Sequence, residues 1–280
     1  MTTDDDRTKV VFEAEEIKTD IRGVAPRTKI LSIRVLDKNG SGRSSRIIAA
    51  IEKILELNDY GRRILIHGVN LSVGYWFDPE WFACGHSPLC VAVDRLVRSG
   101  VVVVIAAGNS GYVQTRIVRD VSPVNKAGQM VSINDPGNAA LAITVGSTHR
   151  NMPHMYGVSY FSSKGPTGDG RRKPDLVAPG EKIISCGAQN GTMLVEALTK
   201  AVPPIAPEPD TAYYLEFSGT SMAAPHVSGA IAALLSIRPE FIGQTDRIKQ
   251  IFTSTATDLD RHPSFQGAGM VDLMRAIQSI

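Results

Sequence analysis

The feature that most constrains the fold is a series of apolar, β-branched runs that alternate with amphipathic helical patterns. The runs are residues 28–37, 63–74, 101–111 and 141–148, and the helical patterns are residues 44–57 and 88–100. A near-continuous apolar run predicts a strand buried on both faces, and alternation with helices predicts parallel pairing of the strands. The sequence therefore predicts an α/β fold with three layers, in which helices cover both faces of a parallel sheet.

Composition narrows the classes of function. The chain has 280 residues, and 43% of them are hydrophobic, which is enough to bury a substantial core. The formal net charge is +2, so we expect no nucleic acid as partner. No run of about 20 apolar residues occurs, which predicts no membrane partner. The first ten residues are acidic and polar and do not resemble a signal peptide, so a cytoplasmic location is expected.

The stretch FSGTSMAAPHVSGAIAALL, residues 217–235, predicts a loop that delivers one serine to the start of a buried helix. Gly219 allows a tight approach of the chain to the helix start. Ser221 falls in the first turn, where backbone N–H groups lack helical partners and the helix dipole favours negative charge. Taken alone, this position favours a helix cap over a nucleophile.

Residues 219–227, Gly-Thr-Ser-Met-Ala-Ala-Pro-His-Val, resemble the serine signature of the subtilisin-like serine proteases (peptidase family S8). Other motifs follow in family order over roughly residues 23–275. They are GVAPRTKILSIRVLDKNGSG (23–42), VNLSVG (69–74), VVVVIAAGNSG (101–111), SYFSSKGP (159–166) and KPDLVAPG (173–180). The resemblance implies the subtilisin-like fold and a serine endopeptidase that acts on peptide or protein substrates.

The resemblance also implies roles for individual residues. Ser221 would attack the scissile carbonyl and form an acyl-enzyme, and Asn109 would donate its side-chain amide to the oxyanion. A turn residue that tolerates a left-handed backbone is the alternative for Asn109. The substrate-binding positions, which include the two walls of the S1 pocket, would be Ser72, Val73, Gly74, Ala106, Ala107, Gly108 and Gly219.

The chain departs from the family pattern in the rest of the catalytic triad. The triad order is Asp, His, Ser, and the first two should precede the segment that matches residues 23–26. Residues 1–22 contain four aspartates but no histidine. We therefore predict an N-terminal segment, residues 1–22, in place of the Asp and His region, followed by a partial catalytic domain over residues 23–280. His226 is not expected to replace the base, because five helical residues turn it about 140° away from Ser221.

Two explanations of this departure stay open. Either the chain is part of a truncated or split endopeptidase whose Asp and His come from an upstream segment or another chain, or it is an inactive pseudoprotease that binds peptides or acts as a scaffold. In the family, the strand that ends at the aspartate lies in the middle of the sheet, and its loss would leave backbone groups unpaired. Residues 8–17, TKVVFEAEEI, could fill that place, although their glutamates suit a central strand poorly.

Smaller signals concern the cysteines and one long loop. Cys84, His86 and Cys90 suggest zinc, but a fourth ligand is not evident, so a disulfide and two free thiols are left as alternatives. Cys186 is predicted to be buried. The loop 187–216 is predicted to form part of the substrate rim or a docking surface. No cofactor is expected, no metal ligands are assigned, and calcium, which family members can hold, is not assigned to any residue.

Overall fold

The structure is a computed structural model that describes residues 21–37, 39–76, 78, 84–115, 125–188 and 211–280. Three regions singled out in the sequence lie wholly or largely outside the described residues. They are the N-terminal segment 1–22, the candidate strand 8–17 within it, and most of the loop 187–216. The prediction of a loop is wrong for the last residues of 187–216, because they belong to the strand Tyr213–Phe217, which pairs with Ile183–Gly187.

A four-stranded parallel sheet organises the described residues. The order is β1-β2-β5-β6, and each neighbouring pair is parallel. Two antiparallel ribbons, β3–β4 and β7–β8, lie outside this sheet. The strands are β1 (Gly68–Leu71), β2 (Val102–Ala106), β3 (Tyr112–Thr115), β4 (Asn125–Gly128), β5 (Ile143–Thr148), β6 (Leu176–Pro179), β7 (Ile183–Gly187) and β8 (Tyr213–Phe217).

Helices cover both faces of the sheet. They are α1 (Ser44–Leu57), α2 (Pro88–Arg98), α3 (Pro153–Tyr156), α4 (Thr220–Ile237), α5 (Thr245–Ser254), α6 (Pro263–Gln266) and α7 (Leu273–Gln278). Two short 3-10 turns, Asp59–Gly61 and Pro239–Phe241, follow α1 and α4. The α/β architecture predicted from the sequence is therefore confirmed.

Strand β2 shows why the sheet is buried on both sides. All five of its residues are buried. Val102 and Val104 belong to a core cluster with α4 and α5, whereas Val103 and Ile105 belong to a second cluster with α1 and α2. Alternate side chains of a strand point to opposite faces, so an unbroken run of valines serves two cores at once.

Helix α4 is the element that fixes the candidate site to the sheet. It packs against β1, β2, β5 and β6. Its small and apolar residues, among them the fully buried Ala223, Ala224 and Val227, allow this close contact. By length and composition alone α4 could also cross a membrane. Its contacts with the sheet are those expected of a core helix.

The prediction of a buried strand over residues 28–37 is wrong. These residues form no strand, and Ile30 and Leu31 are 87% and 55% exposed. Within the described residues, no backbone-to-backbone hydrogen bond involves residues 29–36. The physical reason is the position of β1, which ends the described sheet and pairs with β2 but with no strand beyond it. The segment has the side chains of a strand but no neighbouring strand to pair with.

The other predicted helices and strands are confirmed, and all of them except α1 are shorter than predicted. Helix α1 has the predicted limits, and α2 ends at Arg98, two residues earlier than expected. The strands predicted over residues 63–74, 101–111 and 141–148 contract to β1, β2 and β5. The remaining residues of each run lie outside the strands, and some of them, such as Leu65 at 49%, are exposed.

Candidate active site

Ser221 is the second residue of α4 and lies against the end of β1. Its Oγ donates a hydrogen bond to the Ser72 carbonyl oxygen at 3.2 Å. In return the Ser72 hydroxyl donates to the Ser221 carbonyl at 2.9 Å. This reciprocal pair brings together the predicted nucleophile and the first residue of one predicted substrate wall, which are 149 positions apart in the sequence.

Asn109 lies in the loop after β2, beside the start of α4. Its Oδ1 accepts hydrogen bonds from the Thr220 backbone N–H at 3.0 Å and from the Thr220 hydroxyl at 3.1 Å. Because the oxygen is held in this way, the Nδ2 donor lies on the opposite side of the amide. A Cβ atom added to Gly219 would sit 3.3 Å from that Nδ2. Glycine therefore leaves the Asn109 amide open beside Ser221.

Gly108 gives this loop the shape that delivers Asn109. Its φ of 105° lies in the left-handed region, which favours glycine. Its N–H donates to the Thr220 hydroxyl oxygen at 3.1 Å, so Thr220 is bonded to both Gly108 and Asn109. A Cβ on Gly108 would come within 2.6 Å of Cγ of Asn134. Backbone conformation and lack of space both require glycine here.

The two predicted substrate walls, Ser72–Gly74 and Ala106–Gly108, meet at Asn134, which sequence reasoning did not identify. A Cβ on Gly74 would lie 3.5 Å from the Asn134 Cβ. The Asn134 N–H donates to the Ala107 carbonyl at 3.0 Å, and its Oδ1 accepts from the Ser110 hydroxyl at 3.0 Å. No motif marks Asn134, because its place between the walls results from folding of a separate loop onto them.

A second segment, residues 161–164, holds the Gly108–Gly111 loop in place. The Ser163 N–H donates to the Gly108 carbonyl at 2.9 Å, and the Ser110 N–H donates to the Ser163 hydroxyl oxygen at 3.0 Å. The Gly111 N–H donates to the Phe161 carbonyl at 2.9 Å. These bonds bracket Asn109 on both sides. The segment was noted in the sequence as a family motif, but without a role.

A base for Ser221 is not found among the histidines. All six lie in the described residues, and none hydrogen bonds to Ser221. The His226 Nδ1 lies 2.9 Å from the Met222 carbonyl of its own helix, which agrees with the predicted direction away from the serine. The histidines are His67, His86, His149, His154, His226 and His262.

Of the alternatives left open for Cys84 and Cys90, the structure shows two free thiols. Cys84 and Cys90 are both buried and unpaired, and burial raises the pKa of each thiol. Among the described residues, no group of three or more His, Cys, Asp or Glu side chains could hold a metal ion. The prediction that Cys186 is buried is wrong: it is exposed, because β7 forms a ribbon with β8 away from the main sheet.

Comparison with known proteins places this geometry in a family. The model of the subtilase family (Peptidase_S8) matches residues 7–270. The serine protease AprX of Bacillus subtilis is 31% identical over 264 residues, which cover 91% of this chain and 53% of that protein. Pyrolysin of Pyrococcus furiosus is 32% identical, with 95% of this chain and 18% of that protein covered. The chain thus spans about half the length of AprX and a smaller part of pyrolysin.

Solved structures give the same result. A protease of Pseudoalteromonas arctica aligns with a TM-score of 0.63 and 26% identity, covering 92% of this chain and 64% of that one. The patellamide maturation protease PatA aligns with a TM-score of 0.65 at 20% identity, which supports the fold alone, and covers 97% and 80% of the two chains. From the family match and these relatives, the chain belongs to the subtilase family of serine peptidases.

Proposed function

We propose that this chain carries the nucleophile, the oxyanion donors and the substrate-binding walls of a serine endopeptidase. The observation that carries the proposal is the orientation of Asn109. Thr220 holds its Oδ1 with two hydrogen bonds, which leaves Nδ2 free beside the helix start that bears Ser221. A cap serine would not need this neighbour, whereas an oxyanion hole requires a preorganised donor beside the nucleophile.

The proposed reaction is acyl transfer. The Ser221 Oγ forms a bond to the scissile carbonyl carbon and gives its proton to a base, while the carbonyl oxygen becomes an oxyanion. Asn109 Nδ2 and the Ser221 N–H donate to that oxyanion. The amine then leaves with the proton, and water hydrolyses the acyl-enzyme. Loss of one such donor lowers kcat by about 10²–10³-fold, a figure measured in subtilisin itself.

The base and its orienting acid come, in this proposal, from a further polypeptide segment or a second chain. The support is twofold. Among the described residues, no hydrogen bond joins any of the six histidines to Ser221, β1 pairs only with β2, and residues 29–36 make no backbone-to-backbone hydrogen bond. The occupant that fits an unpaired strand edge is one β-strand, which could pair with β1. In the family pattern, such a strand ends at the triad aspartate.

A pseudoprotease that binds peptides or serves as a scaffold is the second candidate. The observation that favours it is the hydrogen bond of the Ser221 hydroxyl, which goes to a backbone carbonyl and not to a base. A serine in this state is a weak nucleophile. The substrate walls and the oxyanion loop would then retain binding without hydrolysis.

Covalent labelling separates these candidates. The purified chain is treated with a fluorophosphonate probe and analysed by intact mass and peptide mapping, with Ser221→Ala as the matched control. Stoichiometric labelling at Ser221 would show that an activating base is present and would contradict an incomplete triad. We expect little labelling of the chain alone, and restored labelling when a strand-and-helix segment carrying the family Asp and His is added. Absence of labelling in both conditions would favour the pseudoprotease.

Peptide hydrolysis by the chain alone should be correspondingly weak. Binding and oxyanion stabilisation without the triad leave about 10³–10⁴-fold acceleration over water. Robust turnover that disappears in Ser221→Ala would contradict this expectation.

A further inference from the structure

Lys164 is a buried cation beside the oxyanion loop that the proposed reaction does not use. The residue is 5% exposed and lies between the Gly108–Gly111 loop and α6. The ammonium donates to the carbonyls of Gly111 at 2.9 Å, Tyr160 at 3.0 Å and Ser162 at 3.1 Å, and it lies 5.5 Å from the centre of the Phe265 ring. Among the described residues, no carboxylate forms an ion pair with it.

Burial of the Lys164 ammonium costs free energy, which its hydrogen bonds must offset. An ammonium has three donors, and here three backbone carbonyls satisfy all of them. Removal from water nevertheless disfavours the charged form, and burial lowers the pKa of Lys164. An apolar side chain would pack in the same space without this cost, but the Tyr160 and Ser162 carbonyls would lose the donor they have here. The Gly111 carbonyl would keep only its bond from the Gln129 N–H at 2.9 Å.

The carbonyls that Lys164 binds belong to the two segments that define the oxyanion loop. Gly111 follows Asn109 by two residues, and its N–H is already bonded to the Phe161 carbonyl. Ser162 lies in the 161–164 segment that holds Gly108 and Ser110, and Tyr160 immediately precedes that segment. The ammonium therefore adds a side-chain tie between the end of the Gly108–Gly111 loop and residues 160–162, beside the backbone bond from Gly111 to Phe161.

We propose that Lys164 is a positioning residue for the oxyanion donor. It fixes the Gly111 carbonyl and thereby the direction in which the Asn109 amide points. The inference rests on the proposed function, because it concerns the same oxyanion site. A displacement of about 1 Å in a catalytic donor can lower its effect by about 10²-fold, so a distant anchor of this kind has a measurable role.

A purely structural role for Lys164 is separated from a positioning role by a second buried lysine. The Lys173 ammonium is also enclosed, and it binds the Ala142 carbonyl at 2.9 Å, the Thr144 hydroxyl at 2.8 Å and Asp175 at 2.6 Å. None of these groups belongs to the oxyanion loop. Lys173→Met therefore removes a buried ammonium of similar kind and serves as the matched control for Lys164→Met.

The test measures recognition of an anion at the oxyanion site and needs no turnover. Acetylated tetrapeptides Ala-Ala-Ala-Xaa, with Ala, Leu, Phe or Gln at the last position, are prepared with a C-terminal carboxylate and with a C-terminal amide. Dissociation constants are measured by NMR titration in the Ser221→Ala background. The readout is the ratio of the amide to the carboxylate dissociation constant, because a carboxylate accepts charge-assisted hydrogen bonds from the oxyanion donors.

We expect the parent to favour the carboxylate by about tenfold, and Asn109→Ala to lose most of this preference. Lys164→Met should reduce the ratio at least about threefold. Lys173→Met should lower the melting temperature but leave the ratio unchanged. An unchanged ratio in Lys164→Met would overturn the positioning role. Failure of the parent to bind any of the peptides would instead overturn the proposed function, and this inference with it.

A second variant keeps the test usable if Lys164→Met folds poorly. Lys164→Ala leaves the three carbonyls around a vacated space that a small ammonium ion could enter. Methylammonium chloride at molar concentration should restore the carboxylate preference of this variant, whereas sodium chloride at the same ionic strength should not. Recovery of the melting temperature without recovery of the ratio would contradict the positioning role.

Discussion

Two regions of the described structure differ in how completely their polar groups are paired. The Gly108–Gly111 loop is bonded to Thr220, to residues 161–164 and to the buried ammonium of Lys164. By contrast, β1 pairs only with β2 among the described strands, and residues 29–36 make no backbone-to-backbone hydrogen bond within the described residues. Ile30 and Leu31 of that segment are exposed.

We call the Gly108–Gly111 loop with these partners the closed side, and β1 with residues 29–36 the open side. In the function proposed above, the closed side would hold the oxyanion donor, and the unpaired edge of β1 would take the strand that brings the base. Removal of one partner should therefore cost stability on the closed side, whereas substitutions on the open side should cost little in the chain alone.

The largest effect is expected at Asp175, a buried carboxylate that is not part of the closed side but shares its full pairing of polar groups. Its carboxylate is bonded to Lys173 at 2.6 Å and to Lys249 at 2.9 Å. Asp175→Asn leaves two ammonium groups without their counter-ion and should cost about 3–5 kcal/mol of unfolding free energy. Chemical denaturation measures this value. A loss of unfolding free energy below about 1 kcal/mol would contradict the tight pairing of the Asp175 carboxylate with its two lysines.

The same carboxylate predicts a pH dependence. Burial alone would raise the pKa of Asp175, but Lys173 and Lys249 outweigh it and hold the pKa below its ordinary value of 3.8. A folded-state pKa below the unfolded one stabilises the protein above the unfolded pKa, and this stability is lost as the pH falls through the folded pKa. Melting temperatures recorded at falling pH should show an acid loss that Asp175→Asn lacks. An identical acid profile in the variant would refute the assignment.

A smaller effect is expected from a methyl group at Gly111. Its Cβ would collide with the Ser162 carbonyl and come to 2.5 Å from the Lys164 Nζ. Overpacking of this kind typically costs about 1–3 kcal/mol. Gly128→Ala is the matched control, because its Cβ would meet only the Gly111 carbonyl, at 4.0 Å. Equal melting temperatures for the two variants would show that the loop can move away and is less fixed than its hydrogen bonds suggest.

Thr220→Val should have an intermediate and local effect. The change keeps the shape but removes the hydroxyl that donates to Asn109 Oδ1 and accepts from the Gly108 N–H. Loss of these partners should cost about 1–2 kcal/mol and loosen the oxyanion loop. Hydrogen exchange at Gly108 measures the loosening. Thr220→Ser, which keeps the hydroxyl, should retain parental exchange, and faster exchange in Thr220→Ser would contradict the role of the hydroxyl.

The smallest effect is expected on the open side. Ile30 is 87% exposed, so Ile30→Ser should change the unfolding free energy of the chain alone by no more than about 0.5 kcal/mol. Amides of residues 29–36 should also exchange faster than those of β2. Addition of a complementing strand should slow their exchange and make Ile30→Ser costly. A large cost in the chain alone would mean that this side is already closed.

Much of the fold could be predicted from the sequence because its signals are local. The valine run of β2, the apolar face of α1 and the small residues of α4 each specify an element and the faces it buries. The failure at residues 28–37 has the same cause. Apolar alternation gives a segment the side chains of a strand, but a strand also needs a neighbour with free hydrogen-bonding groups. That neighbour is a property of the whole sheet.

By itself, the sequence determined the order of the elements, the serine at the start of α4 and the asparagine after β2, because short motifs encode them directly. Only the tertiary structure decided which way the Asn109 amide is turned, that Asn134 lies between the substrate walls, and that Lys164 is bonded to three carbonyls. Most of those contacts join residues far apart in the sequence, from 24 positions for Ser110 and Asn134 to 111 positions for Asn109 and Thr220. Their geometry results from the packing of loops on the sheet, which no local pattern records.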